Sequence, residues 1–150
     1  MLEMVYSNGA LTNGQSNPVP GMVELGPQDS AEMLALATLT KPGPFGTRTH
    51  ELGSYVVIRS QGNLVAMAGE RLKVAGYTEV SAVCTHPDHT GKGYARVLMT
   101  EIMRRIRERD ETPMLHVRAD NSRAIELYER LGYRTRKQMH FAVLRRTESA

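Results

Sequence analysis

The chain has 150 residues, of which 41% are apolar and 23% charged, proportions that are ordinary for one globular domain. Its net charge of +3 is well short of the clustered basic charge that indicates a nucleic-acid-binding protein. The single cysteine, Cys84, excludes an intrachain disulfide, and no apolar run is long enough to span a bilayer. With no secretory signal, these features predict a cytoplasmic protein that binds neither nucleic acid nor membrane.

The start of the chain shows no helix or strand period. Residues 1–21 are rich in Asn, Gly, Ser and Pro, and we expect a flexible leader there. Regular structure is predicted to begin with a short strand over MVEL, residues 22–25. One domain is therefore expected over residues 22–150.

A helix and three strands are predicted next. Asp29 or Ser30 is suited to cap a helix over AEMLALATL, which the prolines and glycines of residues 41–46 end. A tight-turn signal at Gln61-Gly62-Asn63 joins two of the three apolar strands as a hairpin. The three antiparallel strands are expected over residues 54–60, 63–74 and 77–85.

The second half of the chain alternates helices with strands. Apolar residues recur at helical spacing over residues 95–107 and predict an amphipathic helix before the strand MLHVRA. Because a helix separates MLHVRA from the strand over residues 77–85, the two strands should be parallel. Asp120 is expected to cap a second amphipathic helix, and Gly132 to close it.

The last segment, YRTRKQMHFAVLRR, alternates apolar and polar residues and predicts one long strand or a bent pair. The whole order of elements predicts an α/β fold with a mixed sheet.

A glycine-rich junction, HTGKGYA at residues 89–95, stands where a strand passes into a helix. The first amides of a helix have no partner within it and carry the positive end of its dipole. Glycines let a phosphate approach that backbone closely, and Lys92 and Arg96 add positive charge. The junction therefore predicts a phosphate cradle, with an ordinary turn as the alternative.

Two motifs resemble those of the GNAT superfamily of N-acetyltransferases. Residues 90–95, TGKGYA, resemble the acyl-CoA loop Arg/Gln-x-x-Gly-x-Gly/Ala at Gly93 and Ala95 and depart from it at Thr90. Residues 121–133, NSRAIELYERLGY, are similar to the second hallmark, Asn-x-x-Ala-x-x-Leu-Tyr-x-x-x-Gly-Phe/Tyr.

The resemblance implies a GNAT-like mixed central sheet, mostly antiparallel with one splayed parallel pair, flanked by helices. It also implies direct transfer of an acetyl group from acetyl-CoA to a primary amine through a ternary complex, without a metal.

By the same resemblance, the pantetheine arm bonds the backbone where the strand over residues 77–85 splays from its parallel neighbour, and the pyrophosphate lies on the glycine loop. The residues expected to bind acetyl-CoA are Val83, Cys84, Thr85, Thr90, Gly91, Lys92, Gly93, Tyr94, Ala95, Arg96 and Asn121.

Two proton-transfer roles are assigned as hypotheses. Tyr128, in the second motif, is the candidate acid. Glu79 is the candidate base. By the resemblance, its place four residues before Val83 is that of the base glutamate in the histone-acetylating branch of the family, and strand alternation puts it on the face of Ser81, Val83 and Thr85. His116, on the parallel strand, is the rival base.

Cys84 invites a different mechanism, with an acyl-cysteine intermediate. It alternates with Val80 and Ala82, so we expect it to face a helix as a core residue.

The partners are less well defined. The acceptor amine, a small molecule or a peptide, should be selected by residues 33–53, and the alternative function is a non-catalytic acyl-CoA-binding module. The family commonly has two C-terminal strands where this chain predicts one. A missing strand would leave a sheet edge with unpaired backbone groups. We therefore predict a homodimer through the C-terminal strand, unless the leader folds back to cover that edge.

Overall fold

The computed structural model describes residues 1–7, 22–25 and 29–147. Helices lie on both faces of one sheet in this part of the chain. The strands are β1 (Leu2–Tyr6), β2 (Met22–Glu24), β3 (Tyr55–Ser60), β4 (Asn63–Val74), β5 (Tyr77–Thr85), β6 (Thr112–Val117) and β7 (Tyr133–Gln138), and the helices are α1 (Ser30–Thr40), α2 (Tyr94–Glu108) and α3 (Ser122–Arg130), with short 3-10 helices at Thr49–Leu52 and Pro87–His89.

The strands pair in the order β2-β3-β4-β5-β6-β1-β7. Every neighbouring pair is antiparallel except β5 and β6, which are parallel. The predicted α/β fold, with a mostly antiparallel sheet and one parallel pair, is thus confirmed.

Apolar side chains cover both faces of the sheet. The helical spacing in α2 turns Leu98, Met99, Ile102, Met103 and Ile106 into the sheet, where each is fully buried, and α3 packs on the same face. Helix α1 covers the other face with Met33, Leu36 and Ala37. No helix among the described residues is both long and apolar enough to cross a membrane.

The N-terminal residues belong to the sheet, which corrects the expected flexible leader. Strand β1 lies between β6 and β7, with Met4 opposite Leu115 on one side and Thr135 on the other. Met4 is completely buried. The expectation is wrong for residues 2–6, while residues 8–21 lie outside the described residues.

The C-terminal strand is shorter than predicted. Strand β7 ends at Gln138, and residues 139–147 form neither strand nor helix. The Met139 amide donates to the Met1 carbonyl at 2.7 Å. In the part of the chain that the structure describes, no strand pairs with residues beyond Gln138, and the prediction of a strand there is wrong.

The caps of two helices also differ from expectation. Asn121, not Asp120, caps α3, since its side-chain oxygen accepts from the Ala124 amide at 3.3 Å. Asp120 instead accepts from Arg118. Asp29 holds the cap position of α1 without a side-chain cap bond.

Candidate active site

Strands β5 and β6 separate part-way along their length. They pair from Tyr77 opposite Thr112 to Glu79 opposite Met114, and the register ends there. On the other side of β5, Gly69 pairs with Ser81 and Met67 with Cys84, so β5 carries one extra residue. Ala82, within this bulge, has a φ of 53°. A bulge bends its strand and increases its twist, which separates the end of β5 from β6.

The bulge also changes which side chains share a face. Val80 and Val83 pack in the cluster beneath α2, whereas Ala82 and Cys84 pack against α1. The predicted alternation of Cys84 with Val80 is therefore wrong, as is the placement of Glu79 on the face of Val83. Cys84 is nevertheless buried against a helix, and this burial raises the pKa of its thiol to about 11.

The glycine loop forms one wall of a groove of about 540 Å³. Gly91 and Gly93 have φ of 79° and 77°, and a Cβ on either would meet no atom within 4 Å, so both border open space. The groove lies between this loop, residues 83–85 of β5 and helix α3. Every predicted acetyl-CoA residue lines it except Lys92, whose Nζ lies 3.4 Å from Nδ1 of His89.

The groove suits a phosphorylated ligand. Gly93 caps α2, so the first amides of that helix, from Tyr94 onward, have no helical carbonyl to bond. Arg96, Arg123 and Arg130 also line the groove and add positive charge. This combination of glycine backbone, helix dipole and arginines fits a pyrophosphate.

A small cavity of about 70 Å³ adjoins the groove. Glu79, His116 and Tyr128 line it, together with the loop of residues 42–44. Tyr128 and Val83 border both the cavity and the groove. The two predicted acid–base groups and the rival base therefore line one cavity, which shares Val83 and Tyr128 with the groove.

A row of ionisable side chains crosses this site. Arg71 donates to Glu79 Oε1 at 2.5 Å, and the same oxygen lies 3.4 Å from His116 Nδ1. The other ring nitrogen, Nε2, lies 3.5 Å from Glu3 Oε2, and Arg136 donates to Glu3 at 2.5 Å. The hydrogen bond from Arg136 lowers the pKa of the Glu3 carboxyl.

Sequence reasoning missed Arg71 and Glu3. At the β4–β5 turn, Val74 pairs with Tyr77, and a regular ladder from that pair would put Leu72 opposite Glu79. The register shifts between Glu70 and Lys73, so the regular count does not hold. The alternation of Leu2, Met4 and Tyr6 was the one available signal for β1, and it spans only five residues.

Tyr128 is the group best suited to remain protonated. Helix α3 packs it against the sheet, with its ring edge-to-face with Tyr133 at 6.1 Å. Burial raises the pKa of its phenol above the ordinary value. The hydroxyl therefore carries its proton at neutral pH, as a proton donor must.

Other groups at the site are accounted for differently. His86 accepts from the Asp88 amide through Nδ1 and begins the 3-10 helix at residues 87–89. In residues 1–7, 22–25 and 29–147, no three His, Cys, Asp or Glu side chains are grouped as they would be around a metal ion.

Comparison with known proteins gives the family. A family model described as FR47-like protein matches residues 55–142, which is more than half of the chain. The chain belongs to this family, within the GNAT superfamily. A comparison with curated protein sequences finds no match.

Solved structures agree with this GNAT assignment. A GNAT-family protein from Novosphingobium aromaticivorans, described as an acetyltransferase, is 40% identical with a TM-score of 0.82. That alignment covers 91% of this chain, which spans 59% of the length of the other protein.

Two more distant structures share the GNAT fold. An Escherichia coli ribosomal-protein-alanine N-acetyltransferase is 24% identical, with a TM-score of 0.65 and coverage of 74% of this chain and 75% of that chain. Arabidopsis thaliana Naa50, in complex with the bisubstrate analogue CoA-Ac-MVNAL, is 16% identical, with a TM-score of 0.65 and coverage of 74% and 80%.

Because Cys84 is buried, we expect its thiol to react slowly with alkylating reagents in the native protein. Alkylating reagents attack the thiolate, and a pKa of about 11 leaves the thiol protonated at pH 7.5. We expect labelling on the order of a hundredfold slower in the native GNAT chain than in guanidinium, measured by mass spectrometry. Equally fast labelling in both conditions would contradict the buried position.

Proposed function

We propose that the chain is an acetyl-CoA-dependent N-acetyltransferase that acts by direct transfer to a primary amine. The observation that carries this proposal is the meeting of the phosphate-suited groove with the Glu79–His116 cavity at Val83 and Tyr128. A binding module needs the groove alone. A transferase also needs a second compartment with groups that can take up and deliver protons.

The donor side of the site uses mainly backbone. The amides at the start of α2 would bind the pyrophosphate of acetyl-CoA, with Arg96 and Arg123 beside them. The backbone of residues 83–85, separated from β6, would receive the pantetheine arm as an added strand, and its amides would polarise the thioester carbonyl. Bound acetyl-CoA supplies the activated acetyl group.

The acceptor side has the charge to receive an amine. The ammonium form would enter past the loop of residues 42–44 and meet the carboxylate of Glu79, whose side chain is 2% exposed. Small-molecule and peptide amines both carry this group. One structure with the GNAT fold is that of a ribosomal-protein-alanine N-acetyltransferase, and another is in complex with the bisubstrate analogue CoA-Ac-MVNAL, so a peptide N-terminus is one class to test.

Proton removal is proposed for the Glu79–His116 pair. Arg71 donates to the carboxylate of Glu79, so that carboxylate is already held in an ion pair. The imidazole of His116 would take the proton, and Glu79, 3.4 Å from Nδ1, would stabilise the resulting cation.

The remaining steps complete the balance of the reaction. A bond forms between the amine nitrogen and the acetyl carbon, the thioester C–S bond breaks, and Tyr128 gives its proton to the departing thiolate. The second proton that the nitrogen loses would return to the Tyr128 phenolate, and His116 would release the first to solvent. Cys84 takes no part, because its thiol packs against α1 rather than beside Tyr128.

A panel of amines tests the proposal. Peptide N-termini, lysine, polyamines and aminoglycosides are mixed with acetyl-CoA, and thiol release is followed while products are identified by mass. An acetylated amine formed in proportion to the thiol supports the function. Tight CoA binding with no product from any class would favour the acyl-CoA-binding module instead.

Replacing Gly93 with Val should weaken CoA binding. The side chain would fill the open space at the α2 cap and strain a φ of 77°. Calorimetry should show affinity lower by about tenfold or more, the size expected when one charge-assisted hydrogen bond is lost. Gly76→Val is the matched control, since Gly76 has a φ of 79° and the same open surroundings but lies in the β4–β5 turn. Equal losses in both variants would exclude the loop as the phosphate site.

Replacing Tyr128 with Phe should slow turnover and leave CoA affinity nearly unchanged. Removal of one positioned acid usually lowers the rate by ~10²- to 10⁴-fold. Tyr133→Phe is the control, because this neighbouring hydroxyl is buried with no hydrogen-bond partner among the described residues and lines neither the groove nor the cavity. Unchanged kcat in Tyr128→Phe would remove the acid role.

Assembly and location remain predictions. The homodimer is predicted because a missing strand would leave a sheet edge open. Strand β1 lies at that place in the sheet, as the alternative of a leader that folds back would have it. A dimer would therefore have to use another edge, such as the outer side of β7. A cytoplasmic location is expected from composition alone.

A further inference from the structure

The N-terminal strand reaches the proposed acid–base pair. In the β1–β6 register Glu3 stands directly opposite His116, so the two side chains share a face of the sheet. Their neighbours Met4 and Leu115 also pair, and both lie in the buried cluster on the other face. Met1, at the start of the same segment, lines the cavity. Glu3 is therefore held in place by the core packing of β1.

Glu3 has two partners of different kinds. Its carboxylate accepts from Arg136 on β7 and lies 3.5 Å from Nε2 of His116 on β6. Its side chain is 12% exposed, while that of Arg136 is 68% exposed. The contact with His116 thus lies on the inner side of the carboxylate and the contact with Arg136 on the outer side.

Carboxylates stand at both nitrogens of the imidazole. A neutral ring has one N–H, so it can donate to Glu79 or to Glu3 but not to both. After the ring takes up a proton, both nitrogens donate and both carboxylates are satisfied. The two carboxylates therefore fix the plane of the ring.

We propose that Glu3 is a positioning residue for the transferase reaction, which orients the His116 ring and stabilises the proton that the ring takes from the acceptor amine. This inference rests on the proposed function. It makes the N-terminal strand part of the active site rather than only part of the sheet.

The test compares two variants that break the same ion pair. Glu3→Gln and Arg136→Gln both remove the Glu3–Arg136 bond, but only Glu3→Gln removes the charge that faces His116. The other groups around the ring stay in place in both variants: Arg71, Glu79, Tyr128 and the amino group of Met1, which donates to the Met139 carbonyl.

The direct readout is the titration of the His116 ring by NMR in the free protein, with its signals assigned by their loss in His116→Gln. The Glu3 carboxylate stabilises the protonated ring, so Glu3→Gln should move the midpoint to lower pH, by on the order of one unit. In Arg136→Gln the carboxylate remains without its competing cation, so the midpoint should stay or move to higher pH. Equal midpoints in both variants would overturn the proposal and leave Glu3 as a strand ion pair.

Kinetics give the second readout. The acidic limb of the kcat/KM profile should move with the NMR midpoint in Glu3→Gln, and kcat should fall on the order of tenfold. An NMR shift in a chain that acetylates no amine would reject the proposed function and retain the Glu3–His116 coupling. A fully active Glu3→Gln with a normal profile would reject the positioning role. If Glu3→Gln does not fold, Glu3→Asp replaces it, because the shorter side chain withdraws the charge from the ring. The midpoint of the His116 titration should then move in the same direction by less, and an unmoved midpoint would overturn the proposal.

Discussion

The extra residue in β5 is the constraint on which the site depends. Its bulge at Ala82 ends the pairing of β5 with β6 after Glu79, although the two strands begin as an ordinary parallel pair. Three consequences follow from that separation. Backbone at residues 83–85 borders a groove instead of a strand, Cys84 turns toward α1, and space opens between Glu79, His116 and Tyr128. A regular strand of the same composition would close the groove and bury its backbone in the sheet.

The N-terminal strand holds β6 in the sheet where β5 has separated from it. Strand β6 loses β5 as a partner over its second half, and β1 pairs with its other edge over Met114 to Val117. The fully buried Met4 anchors β1 in the core, and the same five residues place Glu3 beside His116. Packing and chemistry thus depend on one short segment, and its register matters to both, because a slip by one residue would exchange the positions of Glu3 and Met4.

Periodicity predicted most of the fold. Helix α2 and strands β3 to β5 carry apolar patterns over many residues. Of the residues that the family resemblance predicted to bind acetyl-CoA, all except Lys92 line the groove. The features that the sequence did not predict either depend on long-range pairing or differ from expectation by a single residue. Strand β1 has five residues and its partners lie more than a hundred positions away, so no local pattern could identify its place in the sheet. The bulge depends on how β4 and β5 pack, and it reversed the expected faces of Val83 and Cys84. The cap of α3 differed by a single position, because both Asp120 and Asn121 are good capping residues.

Amide hydrogen exchange with and without acetyl-CoA tests the central claim most directly. If the separated backbone of β5 receives the donor, exchange should slow at residues 83–85 and in the first turn of α2, from Tyr94 to Arg96. The β4–β5 turn at residues 75–76, at the opposite end of β5 from residues 83–85, should exchange at the same rate in both conditions. Slower exchange in α2 with no change at residues 83–85 would contradict the account, since the phosphates would then bind without the donor arm entering between the strands.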